Sequence, residues 1–210
     1  MRMATHARSS AASEPAQEPV KDPRERILAI ADVMLYQDGI QQASVEEIAT
    51  AAGVSRRVFA KNFASKEQLV VAYIDGRHER DARLLGAAAE SDISHHLVFN
   101  MVLSEIIADV NTPGFRGCAF INAAAECPEL ADVQRAIAEH REWYLTQATE
   151  LLRVAGHPHP ADAAVTLMAA RDEAMSSTYG DDATDATAGL RHAMERVLSE
   201  IPDSDGGLFD

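Results

Sequence analysis

Aromatic residues are scarce in this chain: six Phe, four Tyr and one Trp, 5% of 210 residues. With 47% apolar residues overall, the core must instead be built from Ala, Leu, Ile and Val. Cysteine is sparser still, with two residues. Cys118 and Cys127 cannot form a disulfide framework, so a reducing cytoplasm is the natural compartment. No apolar run approaches the length that spans a bilayer, and no membrane partner is expected. Residues 1–21 contain no apolar stretch of the secretory-signal type; rich in Ser, Ala, Glu and Pro, they read as a disordered arm.

Positive charge is also in short supply, with 19 Lys and Arg against 33 Asp and Glu, a formal net charge of −14. This excludes a uniformly basic nucleic-acid binder but leaves room for a local patch. Residues 1–80 carry 11 basic and 11 acidic side chains, whereas residues 81–210 carry 8 and 22. The whole acidic excess therefore lies in the second part, where it aids solubility and repels DNA from the wrong face. Signs of catalysis are missing too. No nucleophile–base pairing, glycine-rich phosphate loop or metal-ligand cluster is evident, so no enzyme activity, cofactor or metal is expected. His95 and His96 would diverge by about 100° on a helix, and the loop His157-Pro158-His159 lacks further ligands.

Helical periodicity runs through the chain. Asp22-Pro23-Arg24-Glu25 reads as a capping box with proline in the first turn, opening a helix to about Gln37. Its apolar face is Ile27, Ile30, Ala31, Met34 and Leu35. Further helices are expected over 45–52, 55–62, from Ser65-Lys66-Glu67-Gln68 (a third capping box) to about Ala89, and over 93–110, 115–126, 130–155, 161–179 and 183–201. Asn111-Thr112-Pro113-Gly114, Cys127-Pro128, Gly156 to Pro160 and Gly180-Asp181-Asp182 separate the later ones. No strand pattern or internal repeat is seen, and the tail 202–210 is acidic.

The richest stretch is residues 44–69. Ser44 and Glu47 form a capping box ahead of an apolar stripe of Val45, Ile48, Ala49 and Ala52. Gly53 permits a sharp helix–helix turn. Ser55 caps the next helix, with Phe59 and Phe63 on its inner face and Arg56, Arg57, Lys61 and Asn62 outside. Ser55 to Lys66 holds four basic residues and no acidic one, as a helix entering the DNA major groove requires.

This stretch resembles the DNA-binding domain of the tetracycline-repressor (TetR) family of transcriptional regulators. The matching residues are Ser44-Val45-Glu46-Glu47-Ile48-Ala49, Gly53-Val54-Ser55, Phe59 with Asn62-Phe63, and Ser65-Lys66-Glu67-Gln68-Leu69. With the helix from Asp22 the likeness covers about 60 residues, and the motifs are specific taken together. The position after Phe59 is Ala60, where the family usually carries a tyrosine that holds a backbone phosphate. Gly117-Cys118-Ala119-Phe120-Ile121-Asn122-Ala123-Ala124-Ala125-Glu126 is similar to a signature in one branch of the family.

The resemblance implies an all-α protein of about nine helices, with a disordered arm (1–21), a three-helix helix-turn-helix DNA-binding domain (22–67), a ligand-binding and dimerisation domain (68–201) and an acidic tail (202–210). It implies a cytoplasmic homodimeric repressor that binds a near-palindromic double-stranded operator and is released by a small-molecule effector. On that reading Ser44, Ser55, Arg56, Arg57, Lys61, Asn62 and Lys66 contact DNA. Arg56 and Arg57 sit where a guanine edge is reachable, and Lys61, Asn62 and Lys66 hold phosphates. The family's pocket lies among helices four to seven. Candidate liners are Phe99, Met101, Leu103, Ile107, Phe120, Trp143, Tyr144, Met168 and Met175, with Asn122, Glu126, Arg171 and Glu173 as polar anchors. The last two helices would form the dimer interface through Ala163, Ala164, Ala169, Ala170 and Ala174, and Leu190, Met194, Val197 and Ile201. Rival readings are control by a protein partner, a redox switch of Cys118 and Cys127, and a helical enzyme.

Overall fold

The computed structural model describes residues 22–89, 94–176 and 183–202. Among them the only regular elements are α-helices: α1 Pro23–Gln37, α2 Val45–Ala51, α3 Arg56–Asn62, α4 Lys66–Ala89, α5 His95–Val110, α6 Ala119–Glu126, α7 Ala131–Val154, α8 Pro160–Ser176 and α9 Ala183–Ser199. The expected arm at 1–21, the break at 180–182 and most of the acidic tail lie outside the described residues.

The first three helices form where local chemistry dictates. At α2, the Ser44 hydroxyl accepts the Glu47 N–H at 3.2 Å while the Glu47 carboxylate accepts the Ser44 N–H at 3.1 Å, a complete capping box. At its other end Gly53 adopts φ +64°, with Gly53 N–H bonded to the Thr50 carbonyl and Val54 N–H to the Ala49 carbonyl. That is a Schellman closure, and it turns the chain straight into α3. Ser55 caps α3 by accepting the Val58 N–H at 3.2 Å. Ile27, Ala31 and Leu35 of α1 meet Ile48 and Ala49 of α2 and Phe59 of α3 in one buried cluster, which Phe63, Leu69 and Val70 extend.

Two local expectations fail. Asp22 does precede α1, but its side chain makes no capping bond; Pro23, with its fixed φ, starts the helix without one. Residues 115–118 are not helical. The Tyr36 hydroxyl accepts the Arg116 N–H at 3.0 Å and donates to the Gly117 carbonyl at 2.9 Å, so this backbone is spent on α1 rather than on a helical turn.

α4 leaves the first unit and enters the body. Leu69, Val70, Tyr73 and Ile74 bury its near half. The Arg77 guanidinium then binds Asp32 of α1 at 2.7 Å and lies over the rings of Tyr36 (4.8 Å) and Tyr73 (5.3 Å). α4 packs next on α7, α7 on α8, and α8 on α9, with α5 across α8 and α9. Leu152, Ala164, Ala174, Leu190, Met194 and Val197 are buried in this body.

That burial corrects one expectation. Ala163, Ala164 and Ala174 of α8 and Leu190, Met194 and Val197 of α9 are intrachain core, not a free interface stripe. Ala169 and Val165 are α8 side chains that face outward, Val165 at 58% exposure.

Candidate nucleic-acid interface and ligand cavity

The outer face of α3 presents Arg56, Arg57, Ala60 and Lys61, all exposed. Among the described residues, Arg56, Arg57 and Lys61 make no hydrogen bond or ion pair, so their charges are available to a ligand. The other candidates are already engaged. Asn62 donates through Nδ2 to the Val58 carbonyl at 2.8 Å, leaving its Oδ1. Lys66 Nζ lies 3.4 Å from the Gln41 carbonyl. The Ser44 and Ser55 hydroxyls are helix caps, and Ser44 also donates to Glu47 at 2.7 Å. These bonds hold the Glu47 carboxyl below its usual range. The arrangement is one short basic face on a rigid three-helix base, with no acidic residue between Ser55 and Lys66.

A set of adjoining cavities lies beneath, in the body. The first, of about 150 Å³, is lined by Asp81, Leu84 and Leu85 of α4, Met101, Val102, Glu105, Ile106 and Asp109 of α5, Tyr144 of α7, and Arg171 and Met175 of α8. An apolar branch of about 40 Å³ adds Phe99, Leu167, Met168 and Leu190. A third space, of about 240 Å³, opens toward α1 and α6 and adds Arg77, Arg80, Cys118 and Phe120.

Seven of the candidate liners face these spaces: Phe99, Met101, Phe120, Tyr144, Met168, Arg171 and Met175. The other six do not. Leu103 is core, and Ile107 packs against it. Asn122 donates to the Arg116 carbonyl at 2.7 Å. Trp143 stands edge-on to His78, with ring centres 4.8 Å apart. Glu126 lies at the junction with the first unit, where its carboxylate accepts the Gln41 N–H. Glu173 is exposed on α8 and lines none of the three. Sequence reasoning missed Asp81, Glu105 and Asp109. It also passed over Leu84, Leu85, Val102 and Ile106; on α5 the set 101, 102, 105, 106 and 109 is one helical face, so Met101 was the signal that could have found the rest.

Burial tunes the charges here. Arg171 is 8% exposed. Burial disfavours its charge, but Cys118, Tyr144 and Asp172 more than offset this and raise its pKa. It reaches Asp172 at 3.1 Å, the Cys118 sulfur at 3.9 Å and the face of Tyr144 at 5.0 Å. Burial also disfavours the charge of Asp81 and so raises its carboxyl pKa, with Asp109 adding to the shift while Arg171 and Arg80 oppose it. His140 stacks on Phe120 at 3.5 Å, and burial first, then Arg171 and His78, press its pKa down to about 3. Cys118 and Cys127 are both buried free thiols, and burial pushes the Cys127 thiol up. No cluster of three or more His, Cys, Asp or Glu suited to a metal ion occurs among the described residues. Nor is any described helix long and apolar enough to cross a membrane.

Comparison with known proteins matches this architecture. Residues 27–73 fit the family described as bacterial regulatory proteins, tetR family. The fold superposes on SCO4454, a TetR-family transcriptional regulator from Streptomyces coelicolor, with a TM-score of 0.78 and 33% identity, covering 85% of this chain and 95% of that one. A TetR transcriptional regulator from Legionella pneumophila has the same fold at 21% identity and a TM-score of 0.75, covering 85% of this chain and 98% of that one. The HTH-type transcriptional regulator TtgR of Pseudomonas putida is 28% identical over 101 residues, 46% of this chain. This chain therefore spans 48%, about half, of that curated relative's length. The chain belongs to the TetR family of DNA-binding transcriptional regulators.

Proposed function

We propose that the protein is a homodimeric repressor, released from a near-palindromic operator by a small molecule held in the body cavity. The observation that carries this reading is the course of α4. It begins four residues after the last residue of α3, and fifteen residues further along it supplies Asp81, Leu84 and Leu85 to the cavity wall. One continuous helix thus joins the basic face to a ligand-sized space. A ligand that fits one tilt of α4 better than another biases the DNA-binding geometry by that difference in affinity.

On this reading residues 22–67 form the DNA-binding unit and 68–201 the regulatory unit, with the division inside the first turn of α4. Arg56 or Arg57 reads a guanine, while Lys61 and Lys66 hold phosphates. Ser44 and Ser55 contribute mainly by fixing α2 and α3. A dimer would set two such faces about 34–36 Å apart on successive major grooves. Since Leu190, Met194 and Val197 of α9 are spent in the intrachain core, the partner would meet the outward face around Val165 and Ala169.

The test is to incubate the purified protein with sheared host DNA at moderate salt and sequence the bound fragments. Enrichment of one short inverted repeat, lost on adding the effector, supports the whole reading. A folded dimer that enriches no sequence would sink it.

A further inference from the structure

We propose that the cavity accepts a cationic organic compound with an apolar body, its charge set among Asp81, Glu105 and Asp109. This rests on the reading of the cavity as the effector site and adds the ligand's chemistry.

Charge inside the cavity is unbalanced. Three carboxylates line it and one cation does. The cation, Arg171, is partly matched: Asp172, which it shares with Arg141, lies 3.1 Å away, and the Tyr144 ring covers its face. In the adjoining space Arg77 and Arg80 both turn to Asp32, at 2.7 and 3.6 Å. None of the three carboxylates forms an ion pair with Arg or Lys among the described residues, although Arg171 and Arg80 lie near enough to act on Asp81. Asp81 faces His140 Nε2 at 3.7 Å, but burial keeps that imidazole neutral near neutral pH. Glu105 and Asp109, one turn apart on α5, form no ion pair among the described residues. Asp81 and Asp109 also repel one another. An anion entering here meets three carboxylates against one cation, and a neutral molecule leaves the repulsion between Asp81 and Asp109 in place. A cation relieves it.

The walls select the rest of the molecule. Leu84 and Met101, 53% and 51% exposed, line the cavity together with Ile106 and Met175. Large apolar side chains left open in this way gain from being covered. The apolar branch beside Phe99 and Leu190 gives a tail room to run. A bare metal ion would be a poor occupant, because the carboxylates do not converge into a metal-holding cluster among the described residues.

The chain has a single tryptophan, Trp143, whose ring centre is 6.2 Å from that of the cavity-lining Tyr144. Its fluorescence therefore reports occupancy. Decyltrimethylammonium, decanol and decyl sulfate, all below micelle formation and at fixed salt, share one tail and differ in head charge. The cation is expected to bind at least tenfold more tightly than decanol, and decyl sulfate no more tightly than decanol. Glu105→Gln and Asp109→Asn should each weaken the cation severalfold and leave decanol unchanged. Both positions are exposed, so the variants should fold, and circular dichroism checks this. Equal binding of all three compounds, preference for the sulfate, or unchanged cation binding in both variants would overturn the proposal. The last outcome would assign the cation to the acidic surface at large. Selective binding without operator release would sink the effector reading and leave the charge selection standing. Release by an anionic or neutral effector alone would do the reverse.

Discussion

The Glu126 carboxylate, at the end of α6, accepts the backbone N–H of Gln41 at 3.1 Å, and the Gln41 side chain donates to the Glu126 carbonyl at 2.5 Å. With the Arg116 guanidinium bonded to the carbonyls of Tyr36 and Gln37, this fastens the body to the end of α1 and to the turn that follows it. Gly39 sits inside the clasp at φ +94°, and a Cβ there would lie 3.2 Å from Glu126 Oε2. Gly39→Ala therefore suffers both backbone strain and a clash, at a cost of about 1–2 kcal/mol. Glu126→Ala loses a charge-assisted bond, at about 1 kcal/mol at this exposed site. Because Glu126→Ala also removes the clashing oxygen, the double variant should cost less than the sum of the singles. Additive urea-unfolding energies would show that the two residues do not meet.

On the basic face, Arg56→Ala and Arg57→Ala should each weaken operator binding, one of them by about 1–3 kcal/mol with relaxed preference at a guanine. Titration against the operator and its single-base variants decides this; two unchanged affinities would remove α3 from the groove. Lys66→Ala should weaken all sequences alike and make the salt slope shallower by about one unit. A slope that stays put would mean that Lys66 only braces Gln41.

Ala60 is exposed on α3, so a larger side chain there meets solvent rather than core. Ala60→Tyr should restore the family's phosphate-holding hydroxyl and tighten operator binding by roughly threefold to tenfold. If affinity is flat and the fold intact, Arg57 or Lys61 already fills that role.

His140 gives the body an acid weakness. Its folded pKa of about 3 lies below the ordinary histidine value of 6.5, so the unfolded chain takes up the proton first and stability falls as pH drops from about 6.5 toward 3. Asp81 works in the opposite sense: its raised carboxyl pKa favours the folded state at low pH, and that benefit fades as pH rises through the carboxylate range. His78 and Asp81 on α4, Trp143 and Tyr144 on α7, and Arg171 on α8 surround the ring. Replacing it by His140→Gln should remove about 2 kcal/mol of the loss between about pH 6.5 and 5. Melting curves of the two proteins that fall in parallel with pH would refute this.

Residues 44–69 were legible because their signals are local: caps, a glycine turn and an apolar stripe all lie within one or two turns of the residues they organise. What stayed hidden depends on distant partners. Residues 115–118 look helical until Tyr36, some eighty positions away, claims their backbone. Leu190, Met194 and Val197 form a clear stripe, but a stripe does not say whether its neighbour is the same chain or another. Asp81, Glu105 and Asp109 read as solvated charges, and only the packing of α4 against α5, α7 and α8 reveals that they line one cavity, Glu105 and Asp109 at its exposed rim.

The Arg77–Asp32 pair has a mechanical consequence. It pins α4 near its midpoint, leaving arms of roughly 16 Å toward Lys66 and 18 Å toward Ala89 at about 1.5 Å per residue. Such a helix is a lever whose arm to the cavity is shorter than its arm to Lys66. On the proposed reading, a displacement at Asp81 to Leu85, about 6–12 Å from the pivot, would return at Lys66, about 16 Å away on the other side, enlarged and in the opposite sense. It also drags α1 with it, because the pivot is bolted to that helix. Part of the amplification would then be built into α4 itself, and the spacing of two such helices in the proposed dimer would add to it.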